Sequence, residues 1–269
     1  MKNKRLVIIL SIFAFLALIV VLCSTLFTVR SVTFSWDTEK TYLADYTDGE
    51  MSGSVKKGQS VFLLNKSEIE SALEQKYAYL KVRKVEIMFP NKLIIHVSER
   101  VNLYALKIEN NKYAILDEYS KVLDIVTSEE YSAWDTTKSV KPIEVSVTNN
   151  GNPYTIPENQ VKVGHIADVK RVTQLMSDVA KTMYTFYDTD VELKGRVYSM
   201  NINIAYRSQV SFVLTSENMT MQIFDCYSLL PRKIELGLSV FQYEDEQGIT
   251  TGKIVVEGVN VGDYYYVES

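Results

Sequence analysis

Residues Leu6 to Val29, 24 consecutive positions, carry no charge and are mostly Leu, Ile, Val, Phe and Ala. At about 1.5 Å of rise per residue, a helix of that length reaches roughly 36 Å, more than the ~30 Å hydrocarbon core of a bilayer. Its polar members, Ser11, Ser24, Thr25 and Thr28, can return their hydroxyls to helix carbonyls. Lys2, Lys4 and Arg5 precede the run. The positive-inside bias then makes residues 1–5 a cytoplasmic tail, 6–29 a transmembrane helix, and the rest of the chain extracytoplasmic. A cleaved signal has a shorter apolar core, ~7–15 residues, and ends at a small-residue site. The segment Leu22-Cys23-Ser24-Thr25-Leu26-Phe27 offers no such site, and Leu22 before Cys23 argues against a lipoprotein signal. The expectation is an uncleaved, single-pass type II anchor in the cell (inner) membrane.

Charge follows the same division. Of 29 basic and 33 acidic residues, three basic and no acidic ones lie before the run, which leaves 26 against 33 beyond it, a net charge of −7. An acidic exterior with no basic stripe is a poor nucleic-acid binder, because phosphate contacts supply most non-specific affinity. Of the two cysteines, Cys23 sits in the apolar run, so Cys226 has no exterior partner for an intramolecular disulfide. The exterior fold must be held by its core.

Past the anchor, Val32, Phe34 and Trp36 alternate with polar residues as in a half-buried strand. Thr41–Asp48 has room for a helical turn or two, Gly49, Gly53 and Gly58 mark a loop, and Val61-Phe62-Leu63-Leu64 reads as a short buried run. Asn65 and Glu68 are spaced to cap a helix whose stripe is Ile69, Ala72 and Leu73. A hairpin follows: Val85, Ile87 and Phe89 alternate, Pro90-Asn91 turns, and Leu93, Ile95 and Val97 alternate back. Residues 30–99 thus predict a small α+β module, with helices on one face of a sheet.

After Arg100 the pattern changes to short strands, so 100–269 reads as a β-rich domain with flanking helices. Tyr113–Leu116 and Val122–Ile125 flank a tight connection at Asp117-Glu118-Tyr119-Ser120. Residues 129–168, punctuated by Pro142, Asn149-Asn150-Gly151-Asn152-Pro153 and Pro157, read as irregular. Val172, Leu175, Met176, Val179, Met183 and Phe186 share a helical face. Strands are expected at Val197–Tyr206, Val210–Thr215 and Met219–Phe224, then a helix on Leu230, Ile234, Leu238 and Phe241, and a last strand at Gly252–Val259.

Residues suited to catalysis are present without the spacing that catalysis needs. His96 lies on the polar side of its strand and His165 in a loop, neither within a ligand pattern. No His-Glu-x-x-His, Cys-x-x-Cys, phosphate-cradling glycine loop or Gly-x-Ser-x-Gly elbow occurs. Asp188 with Asp190, and Glu244-Asp245-Glu246, fit solvated helix ends. Cys226, between Phe224 and Tyr227, fits a small buried apolar residue. The expectation is no enzyme, no cofactor and no metal. At the C-terminal end, Lys253–Val259 with Tyr264-Tyr265-Tyr266 reads equally as an ordinary last strand or as a free edge that accepts another chain's strand.

One stretch carries a resemblance. Gly58-Gln59-Ser60-Val61-Phe62-Leu63-Leu64-Asn65-Lys66, Ile69 to Leu73, and Lys84 through Arg100 resemble the FtsQ/DivIB family of bacterial cell-division proteins. The phrase Phe-Pro-x-x-Leu-x-Ile-x-Val-x-Glu-Arg, here Phe89 to Arg100, follows the apolar run by some sixty residues, and Ile115-Leu116-Asp117-Glu118 and Val122-Leu123-Asp124 are similar to that family's next segment. Over 160–260 only the order of elements agrees, and 126–165 departs. The resemblance implies a POTRA-type βαββ module and then a β-rich partner-binding domain. It implies a non-enzymatic scaffold at the division septum that binds FtsL-like and FtsB/DivIC-like bitopic proteins and helps control septal peptidoglycan synthesis. It also favours the end of the second domain as the contact, here Ile254, Val256, Gly258, Tyr264, Tyr265 and Tyr266. A POTRA-containing chaperone of envelope assembly would usually add a cleaved signal and a barrel of ~10-residue alternating strands. A membrane-anchored cell-wall enzyme would need an activated nucleophile or a metal cluster.

Overall fold

The computed structural model describes residues 2–137, 139–187, 197–205, 208–214 and 218–268. They form two compact units, Met1–Arg100 and Val101–Ser269.

The first unit begins with helix α1, Lys2–Leu26. Its described side chains are those of Leu10–Val21, Thr25 and Leu26, and all are exposed; Lys2, Lys4 and Arg5 lie outside the described side chains. Among the described residues, no helix is long and apolar enough to cross a membrane. Strand β1 (Ser31–Trp36), α2 (Asp48–Gly53), a 3-10 turn (Val61–Leu63), α3 (Lys66–Lys76), β2 (Leu80–Met88) and β3 (Lys92–Glu99) follow. The sheet order is β1-β3-β2, with β1 parallel and β2 antiparallel to the central strand. The alternation read from the hairpin holds on β3, where Leu93, Ile95 and Val97 are fully buried. They pack with Leu73 of α3, Met51 of α2 and Val61. Each such side chain contributes about 1.5–3 kcal/mol by leaving water.

Two expectations need correction here. The helical turn is not in Thr41–Asp48 but spans Asp48–Gly53, across two glycines read as loop, because Thr47 and Glu50 form a reciprocal capping box. The run Val61–Leu64 is not uniformly buried. In a 3-10 turn successive side chains point about 120° apart, so Val61 enters the core while Phe62 and Leu63 face out.

The Glu-Arg pair ending β3 has a structural purpose. Glu99 accepts the backbone N–H groups of Thr41, Tyr42 and Leu43 at 2.9, 2.7 and 2.7 Å. Arg100 pairs with Glu74 of α3 at 2.6 Å and donates from Nε to the Leu80 carbonyl at 3.1 Å. The other Glu74 oxygen accepts the Val82 N–H at 2.8 Å. Successive residues thus fasten a loop and a helix to one strand end.

The second unit contains β4 (Tyr104–Ile108), β5 (Lys112–Leu116), β6 (Val122–Thr127), α4 (Ser128–Ser132), β7 (Ile143–Asn149), β8 (Asn152–Pro153) and α5 (Lys170–Tyr187). Strands β9 (Val197–Asn203), β10 (Gln209–Leu214), β11 (Met219–Ile223), helix α6 (Leu230–Glu246), β12 (Gly252–Val256) and β13 (Tyr264–Val267) complete it. They make one mixed sheet, ordered β13-β12-β11-β10-β9-β7-β4-β5-β6, with β8 paired to β7. Val172, Leu175, Met176 and Val179 of α5 and Ile234, Leu238 and Phe241 of α6 bury against one sheet face, on Val145, Met200, Phe212, Met221 and Ile254. Met183, Phe186, Asp188, Asp190, Tyr206 and Thr215, named from sequence, lie outside the described side chains or residues. On the opposite face, Tyr131 of α4 stacks on Tyr113 at 4.5 Å over β5. Residues 129–168 are not irregular throughout: they contain β7, whose parallel pairing with β4 and β9 places it mid-sheet. Strand β4 was likewise not expected.

Candidate docking edge

From sequence, Gly252–Val259 is expected to be the last strand, whether ordinary or with a free edge. The structure corrects this. Strand β12 stops at Val256 and is covered on one side by β11 and on the other by β13, which is made from the tyrosines themselves. Between them Asn260–Asp263 turns the chain, with Asp263 Oδ2 accepting both the backbone and the side-chain N–H of Asn260 at 3.0 Å. Gly258 lies just before this turn, where a Cβ would fall 2.3 Å from Asp263 Oδ2.

Hydrogen-bond phase fixes which backbone groups remain open. Phe224 N–H donates to the Val256 carbonyl, so Ile254 and Val256 turn their backbone groups towards β11. Glu257 N–H donates to the Asp263 carbonyl, so 253, 255 and 257 turn towards β13. By the same alternation, Tyr265 and Val267 bond β12, while Tyr264 and Tyr266 direct N–H and C=O outward. No strand lies beyond β13 among the described residues.

Side chains alternate the other way. Ile254 and Val256 are wholly buried and serve the core rather than a partner. Tyr264 and Tyr266 are half-buried on the α6 side and pack against that core. The Tyr266 hydroxyl donates to the Thr251 carbonyl at 2.7 Å, and its pKa is raised, chiefly by desolvation and next by Glu268 and Glu244. Gly252 sits beneath it at φ +123°, where a Cβ would lie 2.4 Å from the Tyr266 ring. Tyr265 and Val267, 42 % and 43 % exposed, lie on the sheet face away from α6. The register puts Gln222 and Val255 beside Tyr265 on that face, and the buried Gln222 Oε1 has no hydrogen-bond partner among the described residues. The sequence reading missed Gln222, Val255 and Val267. A four-residue Tyr-Tyr-Tyr-Val stretch of high strand propensity behind a Gly-Asp turn was the available signal.

The residues weighed for chemistry are spread out. His96 lies 3.3 Å from Glu86 on the β2–β3 hairpin, and His165 is in an exposed turn. Cys226 is buried, and burial pushes its thiol up to about 12. Among the described residues, no group of three or more His, Cys, Asp or Glu is placed to hold a metal ion.

Fold and edge together define a two-unit α+β chain whose second sheet ends in a tyrosine-rich strand with, among the described residues, its outer edge open to strand addition. Comparison with family models then gives the first unit its type: residues 50–100 match the POTRA domain, FtsQ-type. Among curated proteins, none matches the chain.

Proposed function

We propose that the protein is a non-enzymatic cell-division scaffold of the FtsQ/DivIB kind, held by α1 as a single-pass membrane anchor with its N-terminus in the cytoplasm. The observation that carries this reading is the FtsQ-type POTRA match at residues 50–100. The uncharged run from Leu6 to Val29 behind Lys2, Lys4 and Arg5 supports the anchor and its orientation. At the septum the exterior part binds small bitopic proteins of FtsL and FtsB/DivIC type and so influences septal peptidoglycan synthesis. The docking element is β13. A partner strand laid along it gains main-chain bonds from Tyr264 and Tyr266, and Tyr265, Val267 and Gln222 read its side chains.

Binding of the full chain, reconstituted in nanodiscs, to a purified FtsB/DivIC-like protein tests this. The double variant Tyr265→Lys, Val267→Lys puts two charges on exposed positions of an edge strand, a device that discourages strand addition. Affinity should fall about tenfold or more, equivalent to about 1.4 kcal/mol, at an unchanged unfolding temperature. Equal affinity in the folded variant would remove β13 as the docking element. Val256→Pro is unsuitable as a probe: its N–H faces β11 within the core, and proline there would break the sheet.

A further inference from the structure

Phe62, Leu63 and Phe89 are 63 %, 85 % and 60 % exposed, an unusual concentration of apolar side chains on the surface of the first unit. They are not scattered. The rings of Phe27 and Phe62 lie 5.2 Å apart, those of Phe62 and Phe89 5.8 Å, and those of Phe27 and Phe89 6.3 Å. Three distant stretches of sequence therefore converge on one aromatic cluster: the residue just past α1, the 3-10 turn and the tip of the β2–β3 hairpin.

Backbone bonds hold that convergence. Val61 N–H donates to the Phe27 carbonyl at 2.8 Å, Val29 N–H to the Gln59 carbonyl at 2.9 Å, and Gly58 N–H to the Val29 carbonyl at 2.9 Å. Arg30 N–H donates to the Asn91 carbonyl in the hairpin turn at 2.9 Å. The cluster thus sits at the point where the apolar helix ends, and Leu26, the last residue of α1, is exposed. Cations accompany it. Arg30 donates from Nη2 to the Thr25 carbonyl at 3.0 Å, Lys66 and Lys92 stand three residues beyond Leu63 and Phe89, and Lys56 shares a small cavity with Leu63.

We infer that Phe27, Phe62, Leu63 and Phe89 form a membrane-interface foot, which seats the POTRA-bearing unit on the bilayer that α1 enters. The inference rests on the reading of α1 as a membrane anchor. Lipid is favoured as the occupant because the apolar surface is continuous with that helix. Aromatic and large aliphatic side chains flanked by Lys and Arg match the boundary between acyl chains and anionic headgroups. The foot restricts tilting of the unit about the short connection after Leu26, and so sets the unit's height above the membrane.

The test uses the full chain with Cys23→Ser in vesicles of phosphatidylethanolamine and phosphatidylglycerol, without any partner protein. Cys226 is buried and its thiol stays protonated, so it escapes labelling. A nitroxide is placed in turn at Leu63→Cys, at Glu70→Cys on the exposed side of α3, and at Phe15→Cys within α1. Its relaxation is measured with oxygen, which concentrates in lipid, and with a water-soluble nickel chelate. The label at 63 should favour oxygen and the label at 70 nickel, and the added pair Phe62→Glu, Phe89→Glu should shift position 63 to the nickel-accessible value. If position 63 is as nickel-accessible as position 70 while position 15 is in lipid, the foot is refuted and the cluster is left to a protein partner. If position 15 is itself in water, the anchor reading fails, and the foot with it.

Discussion

Removing Arg100 should loosen the first unit by several kcal/mol. The Arg100 side chain is 6 % exposed and its partner Glu74 17 %, so solvent screens the pair little. Arg100→Ala deletes a charge-assisted bond of 2.6 Å and the bond from Nε to the Leu80 carbonyl. It leaves the Glu74 carboxylate largely out of water with the Val82 N–H as a remaining donor. Breaking a buried pair from one side costs about 3–5 kcal/mol. The surviving Val82 bond and the partial exposure of Glu74 place the expectation near the lower end, about 3 kcal/mol. For a unit of this size that lowers the unfolding temperature by about 12–24 °C. Each unit carries one of the protein's two tryptophans, Trp36 in the first and Trp134 in the second. With Trp134→Phe, fluorescence in detergent-solubilised full chain follows the first unit alone. Glu74→Gln keeps the shape and an acceptor for Val82, so it should cost less than Arg100→Ala. The double variant should be less damaged than the sum of the singles, by about 1 kcal/mol or more. A first-unit transition within about 3 °C of the parent in Arg100→Ala would refute the claim that this pair fastens α3 to the sheet.

Two further perturbations concern the second unit, followed by Trp134 in Trp36→Phe. Gly252→Ala adds a Cβ at φ +123° against the Tyr266 ring and should cost about 1–3 kcal/mol. It should also raise hydrogen exchange at 264–267 more than at β10. An unaffected β13 would show that the glycine is incidental. Alkaline pH should destabilise the unit: burial first, then the hydrogen bond to Glu144, pushes the Tyr113 phenol up to about 12, and burial raises Tyr131 as well. Both stay protonated in the folded state while the unfolded chain ionises near pH 10, so stability is full below about pH 10 and falls as pH rises towards 12. Tyr113→Phe should make that decline shallower; an unchanged slope would exclude Tyr113 as its source.

Much of the first unit was legible because its signals are local. Alternation on Leu93, Ile95 and Val97 specified the buried face of β3, and the Pro90-Asn91 turn specified its hairpin partner. What hid was what depends on a tertiary neighbour. Nothing in Ser31–Trp36 says that it pairs with β3 rather than with the strand next to it in sequence. The alternation of Ile143, Val145 and Val147 is as clear as that of β3, yet Pro142 before it and Asn149-Asn150-Gly151 after it made the stretch read as loop. Parallel pairing to β4 and β9 is what gives it a place. Near the C-terminus the strand pattern over Lys253–Val256 was legible, but not which strand would form the edge of the sheet. Val256 ends in the core because α6 buries its face, and the tyrosines form the edge because the Asn260–Asp263 turn folds them back. Phe62 and Leu63 misled for a simpler reason: apolar runs read as buried, and only the 3-10 geometry divides them.

The parallel ladder between β1 and β3 bears on the order of synthesis. Trp36 closes β1, and its register partner Val97 comes 61 positions later. At about 5–20 residues per second, β1 is complete roughly 3–12 s before the strand that fixes it exists. Throughout that interval Val32, Phe34 and Trp36 have no sheet to join, and β2 cannot supply one, because β3 lies between it and β1. The earliest strand is therefore the last to be locked, and the unit cannot assemble stepwise from its N-terminal side. The β1 ladder forms only once β3 of the hairpin exists.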